Sequence, residues 1–488
     1  MLPWLSRAFA LAAGLVCLVT ALSTPPYPYG DAPEYLLMTE SLARHGSPDL
    51  RQEDLEAVTL GFLRHRVEFP PHGALVGYYP AEDGRRYSYH FWGYSALCLP
   101  ARYALAAAGV DELKALQVTN ALLMGLALIC VAWAAPFAEP QKLLLAGLLV
   151  SSPAVWFVLW PHPEVLSFSC VTMALVLMLR RRFWAAVLLA AVAALQSLQL
   201  GLLVVFLWVK GAARLRLRWR GGLLLRARFG WRESLTLAVP ALVLVVHPLF
   251  YYWHFGTFSI VALEATSVAK LSPTRALDLL FDLNLGLLPY IPVALLAYLV
   301  AVGRAFVVER RLTPSVQLFL LLAGVLLANT LQWNFNHGTS GPSRYVVWLT
   351  PLIFVTLAAE ACSRRWLGVL ALAVAVQLGI VWSRGGLRPR YDYLEHSPVA
   401  RFVLDRAPWL YHPDYEVFIK RSLHVEGRPT RGPYVYPVDG ACRKVLARRD
   451  HEALVRERCG FVPEKALAFF RGPVTRESDR TSWTYVDY

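Results

Sequence analysis

The sequence predicts an all-α polytopic membrane protein of about eleven transmembrane helices, and three observations support this prediction. Hydrophobic residues make up 56% of the 488 residues. They are gathered into apolar runs such as Leu143 to Trp160 and Ser315 to Leu331, and about 20 mostly apolar residues suffice to cross a bilayer. Basic residues cluster in a few loops between these runs, as the positive-inside rule expects of cytoplasmic loops. This pattern excludes an ordinary soluble enzyme.

The first apolar run, Leu2 to Leu22, carries one basic residue, Arg7, near its start. We interpret it as a retained spanning helix, because the rest of the chain is a membrane bundle. A cleaved signal peptide stays the alternative, since small residues precede Thr24.

Residues 24–112 form a long polar stretch after the first run and are predicted to be a large external loop. The stretch is too polar to span a membrane and too long for a passive connector. Within it, Tyr89 to Ala108 is moderately apolar but interrupted by His90, Pro100 and Arg102. This interruption favours helices lying at the membrane interface.

The remaining predicted spans alternate across the membrane so that the basic clusters of the short loops lie inside. They are Leu113 to Ala135, Leu143 to Trp160, Val165 to Leu179, Phe183 to Val209, Leu235 to Tyr252, Leu285 to Val302, Ser315 to Leu331, Tyr345 to Ala359 and Leu367 to Trp382. Phe183 to Val209 is long for one span and short for two, so we predict two short helices that bend near Gln196 to Gln199. The topology divides the chain into a transmembrane domain, 1–382, and a small extramembrane α+β domain, 383–488.

The net charge of +14 could indicate a nucleic-acid partner. The distribution of the charge favours a membrane instead, and no nucleic-acid-binding motif accompanies the basic residues. Eight of them crowd one loop between apolar runs: Lys210, Arg214, Arg216, Arg218, Arg220, Arg226, Arg228 and Arg232. Arg180 to Arg182, Arg304 to Arg311 and Arg364-Arg365 mark the other inner loops.

Five of the seven cysteines lie in or beside apolar runs, where a thiol behaves as a small hydrophobic group. Cys442 and Cys459 differ, because they lie in the polar C-terminal region. Disulfides persist outside the cytoplasm, so a bridge between these two cysteines is compatible with an external domain.

Polar residues from separate loops fall together on the external face of this topology. They are Gly30 to Tyr35, Trp160 to Glu164, Trp253 to Gly256 with Glu264, and Asn334 to Tyr345. Acids, imidazoles and an arginine at the mouths of several helices suit a charged substrate at the membrane surface.

Each of these residues also has a structural explanation. Asp31 could cap a helix, His162 and Glu164 could flank a proline-rich turn, and Arg344 could be an interfacial snorkelling residue. Their shared face favours the functional interpretation, because the topology was derived without reference to them.

At these residues the chain resembles the GT-C superfamily of glycosyltransferases, the multispanning enzymes that include protein O-mannosyltransferases and bacterial aminoarabinose transferases. An acid near a helix opens their first external loop, where Asp31 stands here, and a later loop carries a second acid, where Glu164 stands. Gly341 to Tyr345 resembles the Gly-x-Arg-Tyr segment of bacterial members.

Two further segments carry the resemblance. Tyr89 to Tyr94 occupies the place of a Pro-Pro-x-x-Tyr-Trp type segment, but lacks the family's lysine and paired prolines. Phe281 to Pro292 is similar to a Gly-Leu-Leu-Pro-Tyr-x-Pro stretch. The likeness covers Met1 to Trp382, and residues 383–488 match nothing to which a role can be assigned.

The resemblance implies a glycosyltransferase that moves a sugar from a polyprenyl-phosphate donor to a glycan, lipid or protein acceptor by direct displacement. Asp31 is the expected general base, Glu164 is expected to orient the acceptor, and Arg344 is expected to bind phosphate. The other expected substrate-binding residues are Tyr345, His90, His162, Glu34, Tyr35, His337 and Glu264. A divalent metal ion is a candidate cofactor, with Asp31, His162 and Glu164 as candidate ligands.

The implied location is the bacterial inner membrane, with the active site and the C-terminal domain on the periplasmic side. Donor, acceptor and membrane lipid are the expected partners, and nucleic acid is not. Two other classes remain open: a transporter or flippase, and a non-catalytic subunit of an envelope polysaccharide system. A transporter would be expected to carry ionisable residues near the bilayer midplane and inverted repeats, whereas the predicted spans contain few ionisable residues and no repeat is detectable.

Overall fold

The structure is a computed structural model that describes residues 4–28, 30–69, 77–214, 231–309, 312–337, 341–389, 393–426, 432–472 and 483–488. Most of the predicted arginine-rich loop, from 215 to 230, lies outside the described residues. So do Arg310 and Arg311 of the next basic cluster.

Helices dominate the first 383 residues. In chain order they are α1 (Leu5–Ser23), α2 (Ala32–His45), α3 (Gln52–Arg64), α4 (Gly93–Ala107), α5 (Ala115–Ala134), α6 (Glu139–Val150), α7 (Glu164–Leu179), α8 (Phe183–Gln196), α9 (Gly201–Arg214), α10 (Trp231–Phe255), α11 (Ile260–Glu264), α12 (Pro273–Phe281), α13 (Pro292–Glu309), α14 (Pro314–Asn329), α15 (Arg344–Val347), α16 (Thr350–Glu360) and α17 (Arg364–Ser383). A short hairpin, β1 (Tyr78–Pro80) with β2 (Arg86–Ser88), precedes α4.

Four helices among the described residues are long and apolar enough to cross a membrane: Leu5–Ser23, Glu112–Ala134, Ala238–Phe255 and Arg364–Ser383. Shorter apolar helices occur at Glu164–Leu179, Phe183–Gln196, Leu198–Ala212, Pro292–Val308 and Pro314–Asn329. The fold is therefore mostly helical with several apolar helices, as the sequence predicts. The number of crossings, about eleven, stays a prediction.

Prolines place several helix boundaries elsewhere than the apolar runs suggest. The run from Leu143 to Trp160 is helical only to Val150, since Pro153 opens a separate 3-10 turn. The helix predicted from Leu285 begins at Pro292, a first-turn position that proline favours. The predicted bend near Gln196 is present, as α8 ends there and α9 begins at Gly201.

Small residues bring the first helix close to its neighbour. A Cβ atom added at Gly14 of α1 would lie 3.2 Å from Cα of Gly125 on α5. Close backbone approach of this kind is typical of helix pairs in membranes, where small side chains allow tight packing. The loop that follows α1 thus starts from a closely packed helix pair.

The C-terminal region folds as a small mixed unit that is bound to the bundle. It contains α18 (Pro398–Arg406), α19 (Tyr415–Leu423), β3 (Tyr434–Val438), β4 (Ala441–Ala447), α20 (Glu452–Cys459), α21 (Glu464–Arg471) and β5 (Thr484–Asp487). The three strands form an antiparallel sheet in the order β3-β4-β5.

Covalent and ionic contacts hold this region in place. A disulfide joins Cys442 to Cys459, with a Cα–Cα distance of 5.5 Å. The buried Arg275 of α12 forms an ion pair with Asp414, Nε to Oδ2 at 2.8 Å. Side chains of α19 can therefore reach the same surface of the bundle as the loops between its helices.

Candidate active site

Asp31 occupies the N-cap position of α2, but its side chain makes no capping hydrogen bond. Its carboxylate instead faces residues from two distant loops. Nη1 of Arg344 donates to Oδ2 at 2.5 Å, and Nε2 of His162 lies 3.3 Å from the same oxygen. The capping explanation of Asp31 is therefore wrong for its side chain.

Arg344 is the first residue of a four-residue helix, α15. Ser343 caps this helix, since its Oγ accepts a hydrogen bond from the backbone N–H of Tyr345 at 3.3 Å. Asn329, at the end of α14, donates to the Tyr345 carbonyl oxygen at 3.0 Å. The Arg344 side chain, 14% exposed, contacts the Tyr345 hydroxyl through Nη2 at 3.3 Å. Nε has no hydrogen-bond partner among the described residues.

A second acid of α2, Glu34, orients His90. The buried Glu34 carboxylate accepts hydrogen bonds from Ser88 Oγ at 2.6 Å and from His90 Nδ1 at 2.9 Å. The other ring nitrogen of His90 lies 3.8 Å from Asp31 Oδ2. A Cβ atom added at Gly77 would overlap the Glu34 carboxylate, so a larger residue here would force the carboxylate to move. Glu34 and His90 therefore form a carboxylate–imidazole pair beside Asp31.

His162 and Glu164 lie at the start of α7, and His162 approaches the same oxygen of Asp31 as His90 does. The His162 ring stacks on Trp160 with centroids 4.4 Å apart, and its Nδ1 lies 3.2 Å from Glu164 Oε1. Both residues are only 3% exposed. Nδ1 of His162 and Oε2 of Glu164 have no hydrogen bond within the described part of the chain. Buried polar atoms are normally hydrogen-bonded, so the unpartnered Oε2 of Glu164 indicates a place for a ligand.

The charges around Asp31 determine its protonation. Burial raises the pKa of the Asp31 carboxyl, but Arg344, the hydrogen bond to His162 and the charge of His90 outweigh this effect, so the pKa lies well below its usual range. Burial lowers the pKa of His90, and Glu34 and Asp31 more than compensate, so its pKa is raised. Asp31 is therefore a carboxylate at neutral pH, and its charge and that of Glu34 favour the protonated form of His90.

These residues line one end of a cavity of about 850 Å³. Side chains of apolar helices form a second wall, among them Leu198, Leu202, Ala328 and Leu331. A third wall comes from the C-terminal region: Glu416, Lys420 and Glu426. We call Asp31, His90, His162, Glu164 and Arg344 the polar floor, and the three C-terminal residues the C-terminal wall.

The other predicted substrate-binding residues are distributed around the cavity. Tyr35 is buried beside both imidazoles, 5.2 Å from His90 and 5.1 Å from His162 by ring centroids. His337 pairs with Ser343 Oγ at 2.5 Å, and burial, together with Arg344, places its pKa well below the usual value. Glu264 is exposed and lines the cavity at the end of α11, away from the hydrogen bonds of the polar floor.

Sequence reasoning missed the C-terminal wall and two polar residues inside apolar helices, Gln196 and His247. The latter two carried a signal, since a glutamine next to a serine and a histidine before Pro248 interrupt otherwise apolar runs. The C-terminal wall carried none, because its residues are ordinary for a solvated helix.

The three candidate metal ligands come close together, but they do not form a metal site. No group of three or more His, Cys, Asp or Glu side chains is arranged to hold a metal among the residues the structure describes. Arg344 Nη1 lies 2.5 Å from Asp31 Oδ2 and 3.1 Å from His162 Nε2. A permanent positive charge therefore occupies the space that a cation would need.

Neither the protein families nor the curated proteins include a match. Among solved structures, the chain matches ArnT from Cupriavidus metallidurans in the apo state, with 14% sequence identity and a TM-score of 0.41. The match covers 76% of this chain and 62% of ArnT, so it spans less than two thirds of that protein.

Proposed function

We propose that this protein is a membrane glycosyltransferase that uses a polyprenyl-phosphate-linked sugar. One observation carries the proposal. A half-buried carboxylate, a guanidinium and two imidazoles from four separate segments converge on the lining of a cavity that apolar helices also line. A charged head group and a hydrocarbon tail on one molecule would match these two walls.

Sugar transfer requires a base and a site for the leaving phosphate. The acceptor hydroxyl attacks the anomeric carbon, its proton passes to Asp31, and the bond from that carbon to the phosphate oxygen breaks. The products are the new glycoside and polyprenyl phosphate. Phosphate leaves without a strong general acid, so one carboxylate suffices, unlike glycoside hydrolysis with its two. Glu164, with its unpartnered Oε2, is suited to orient the acceptor hydroxyl.

Arg344 is suited to the phosphate because its guanidinium has donors to spare. Nη1 holds Asp31, whereas Nε has no partner among the described residues and Nη2 makes a single long contact with Tyr345. Guanidinium binds phosphate oxygens through a planar fork of donors. A phosphate on this fork would draw positive charge away from Asp31, whose pKa would rise toward that of an effective base.

The chemistry also has a preferred side of the membrane. Under the predicted topology, the polar floor and the C-terminal domain face the periplasm or cell exterior, and residues 1–382 form the transmembrane domain. The Cys442–Cys459 disulfide supports this orientation, because disulfides are rare in the cytoplasm. The acceptor would be an envelope glycan, lipid or protein.

The test is turnover of a panel of polyprenyl phosphate sugars by the purified protein, measured as release of polyprenyl phosphate. We expect release with at least one donor, and Asp31→Asn should reduce its rate by about 10² to 10⁴-fold with donor binding retained. Glu56→Gln, an exposed acid of α3, is the matched control. Turnover by Asp31→Asn at the wild-type rate would exclude the proposed base, whereas a transporter or assembly subunit would release nothing.

A further inference from the structure

The break between α8 and α9 opens onto the cavity from within the apolar helices. α8 ends at Gln196, a 3-10 turn spans Leu198–Leu200, and α9 starts at Gly201. Gln196, Ser197 and Gln199 line the cavity. Non-helical backbone at membrane depth is tolerated where it lines a polar or water-filled space. The helix break therefore marks a polar patch on the apolar side of the cavity.

His247 of α10 completes this patch. It is 4% exposed, lies inside the span Ala238–Phe255 and lines the cavity. Its Nδ1 lies 2.9 Å from the Leu195 carbonyl oxygen, which can only accept, so Nδ1 carries the proton. In a neutral imidazole the other nitrogen is then an acceptor. Nε2 is buried and has no partner among the described residues.

Gln196 supplies the complementary group. Its Nε2 is buried and has no hydrogen bond in the described part of the chain. A Cβ atom added at Gly93 would lie 3.1 Å from this nitrogen, so the amide rests against the start of α4. Phe91, also on the cavity surface, lies 4.9 Å from the His247 ring by centroids. An amide donor, an imidazole acceptor and an aromatic face thus share one patch.

We infer that Gln196 and His247 form a subsite for a hydroxyl group of the donor sugar, with Phe91 beside the sugar ring. A hydroxyl both donates and accepts one hydrogen bond, which is what His247 Nε2 and Gln196 Nε2 leave open. The inference rests on the proposed function, and it assigns donor selection to residues separate from the polar floor. Ionisable residues within spans mark substrate sites in membrane proteins.

Binding of lipid probes tests the subsite without turnover. The probes are decaprenyl phosphate and decaprenyl phosphates that carry glucose, mannose, galactose or arabinose. We expect the wild-type protein to bind at least one sugar-bearing lipid about tenfold more tightly than the bare lipid. Gln196→Leu and His247→Phe should reduce this preference to about twofold or less, with affinity for bare lipid unchanged. His247→Gln should retain part of the preference, because its amide oxygen can accept in place of Nε2.

Matched controls separate the subsite from general damage. The controls are His254→Phe and Gln317→Leu. His254 lies on the same helix as His247 but does not line the cavity, and Gln317 lies in the first turns of α14, also outside the cavity lining. Both should keep the full preference. If His247→Phe fails to fold, the lipid preferences of Gln196→Leu and His247→Gln test the subsite in its place.

Three results would overturn the subsite: equal affinity of the wild-type protein for bare and sugar-bearing lipids, binding of neither, or an unchanged preference in Gln196→Leu and His247→Gln. The proposed base fails separately, by normal turnover in Asp31→Asn. That variant should keep the full preference for the sugar-bearing lipid.

Discussion

The polar floor and the C-terminal wall enclose one cavity, but they differ in how their charges are paired. In the wall, Lys420 has three protons and three acceptors: Asn334 Oδ1 at 2.9 Å, Glu416 Oε1 at 3.1 Å and Glu426 Oε1 at 3.4 Å. In the floor, Arg344 Nε, His162 Nδ1 and Glu164 Oε2 have no hydrogen bonds among the described residues.

This difference separates structural from chemical roles. A satisfied buried network fixes a conformation, whereas an incompletely satisfied network is costly unless a ligand completes it. The wall also ties the C-terminal region to the bundle, since Glu416 Oε1 accepts from the backbone N–H of Phe335 at 3.0 Å. We therefore expect substitutions in the floor to affect binding and turnover, and substitutions in the wall to affect stability.

Arg344→Met should have the largest effect on donor binding. It removes the guanidinium fork while it keeps a side chain of similar length, so affinity for decaprenyl phosphate should fall about 100-fold. Arg344→Lys keeps the charge without the fork and should lose about tenfold. Binding titrations measure both. Equal affinities in Arg344→Met and the wild-type protein would show that Arg344 does not bind the phosphate. The polar floor would then not differ from the C-terminal wall in its role in binding.

Lys420→Met tests the other side of the comparison. The substitution removes the Lys420 ammonium from Glu416 Oε1 and Asn334 Oδ1, so the free energy of unfolding should fall by about 2 kcal/mol. Thermal unfolding of the detergent-solubilised protein measures the change. Release of polyprenyl phosphate per folded molecule should stay within about threefold of the wild-type rate. A large loss of turnover in a protein of normal stability would show that the wall takes part in the chemistry.

The same contrast explains how much of the site could be predicted from sequence. Asp31, His162, Glu164 and Arg344 come from loops that the charge pattern placed on one face, and the structure brings them into contact. The topology assigns such residues to one face of the membrane, because each loop between two spans must lie on one side or the other and successive loops alternate. The pairing of Glu34 with His90 could not be predicted, because it depends on how β2 returns to α2.

The fold was predictable to a similar degree. Apolar runs located the helices, and the polar interruption at Gln196 located the break between α8 and α9. Helix ends at Val150 and Pro292 were missed, because hydropathy does not register where a proline stops or starts a helix. The C-terminal wall was beyond prediction, since the contacts of α19 join segments more than 80 residues apart.

Glu34→Gln should produce the smallest effect, a shift in pH dependence. Burial lowers the pKa of His90, but the charge and hydrogen bond of Glu34, together with the charge of Asp31, raise it above its usual value. Protonated His90 attracts phosphate, so affinity for decaprenyl phosphate should weaken as the pH rises through that pKa. Without the Glu34 charge the pKa falls, and the weakening should move to lower pH by up to about one unit. Binding titrations across pH measure the shift, with Glu56→Gln as the control. An unchanged pH profile would mean that His90 does not contribute its charge to the floor, and Arg344 would then carry phosphate recognition alone.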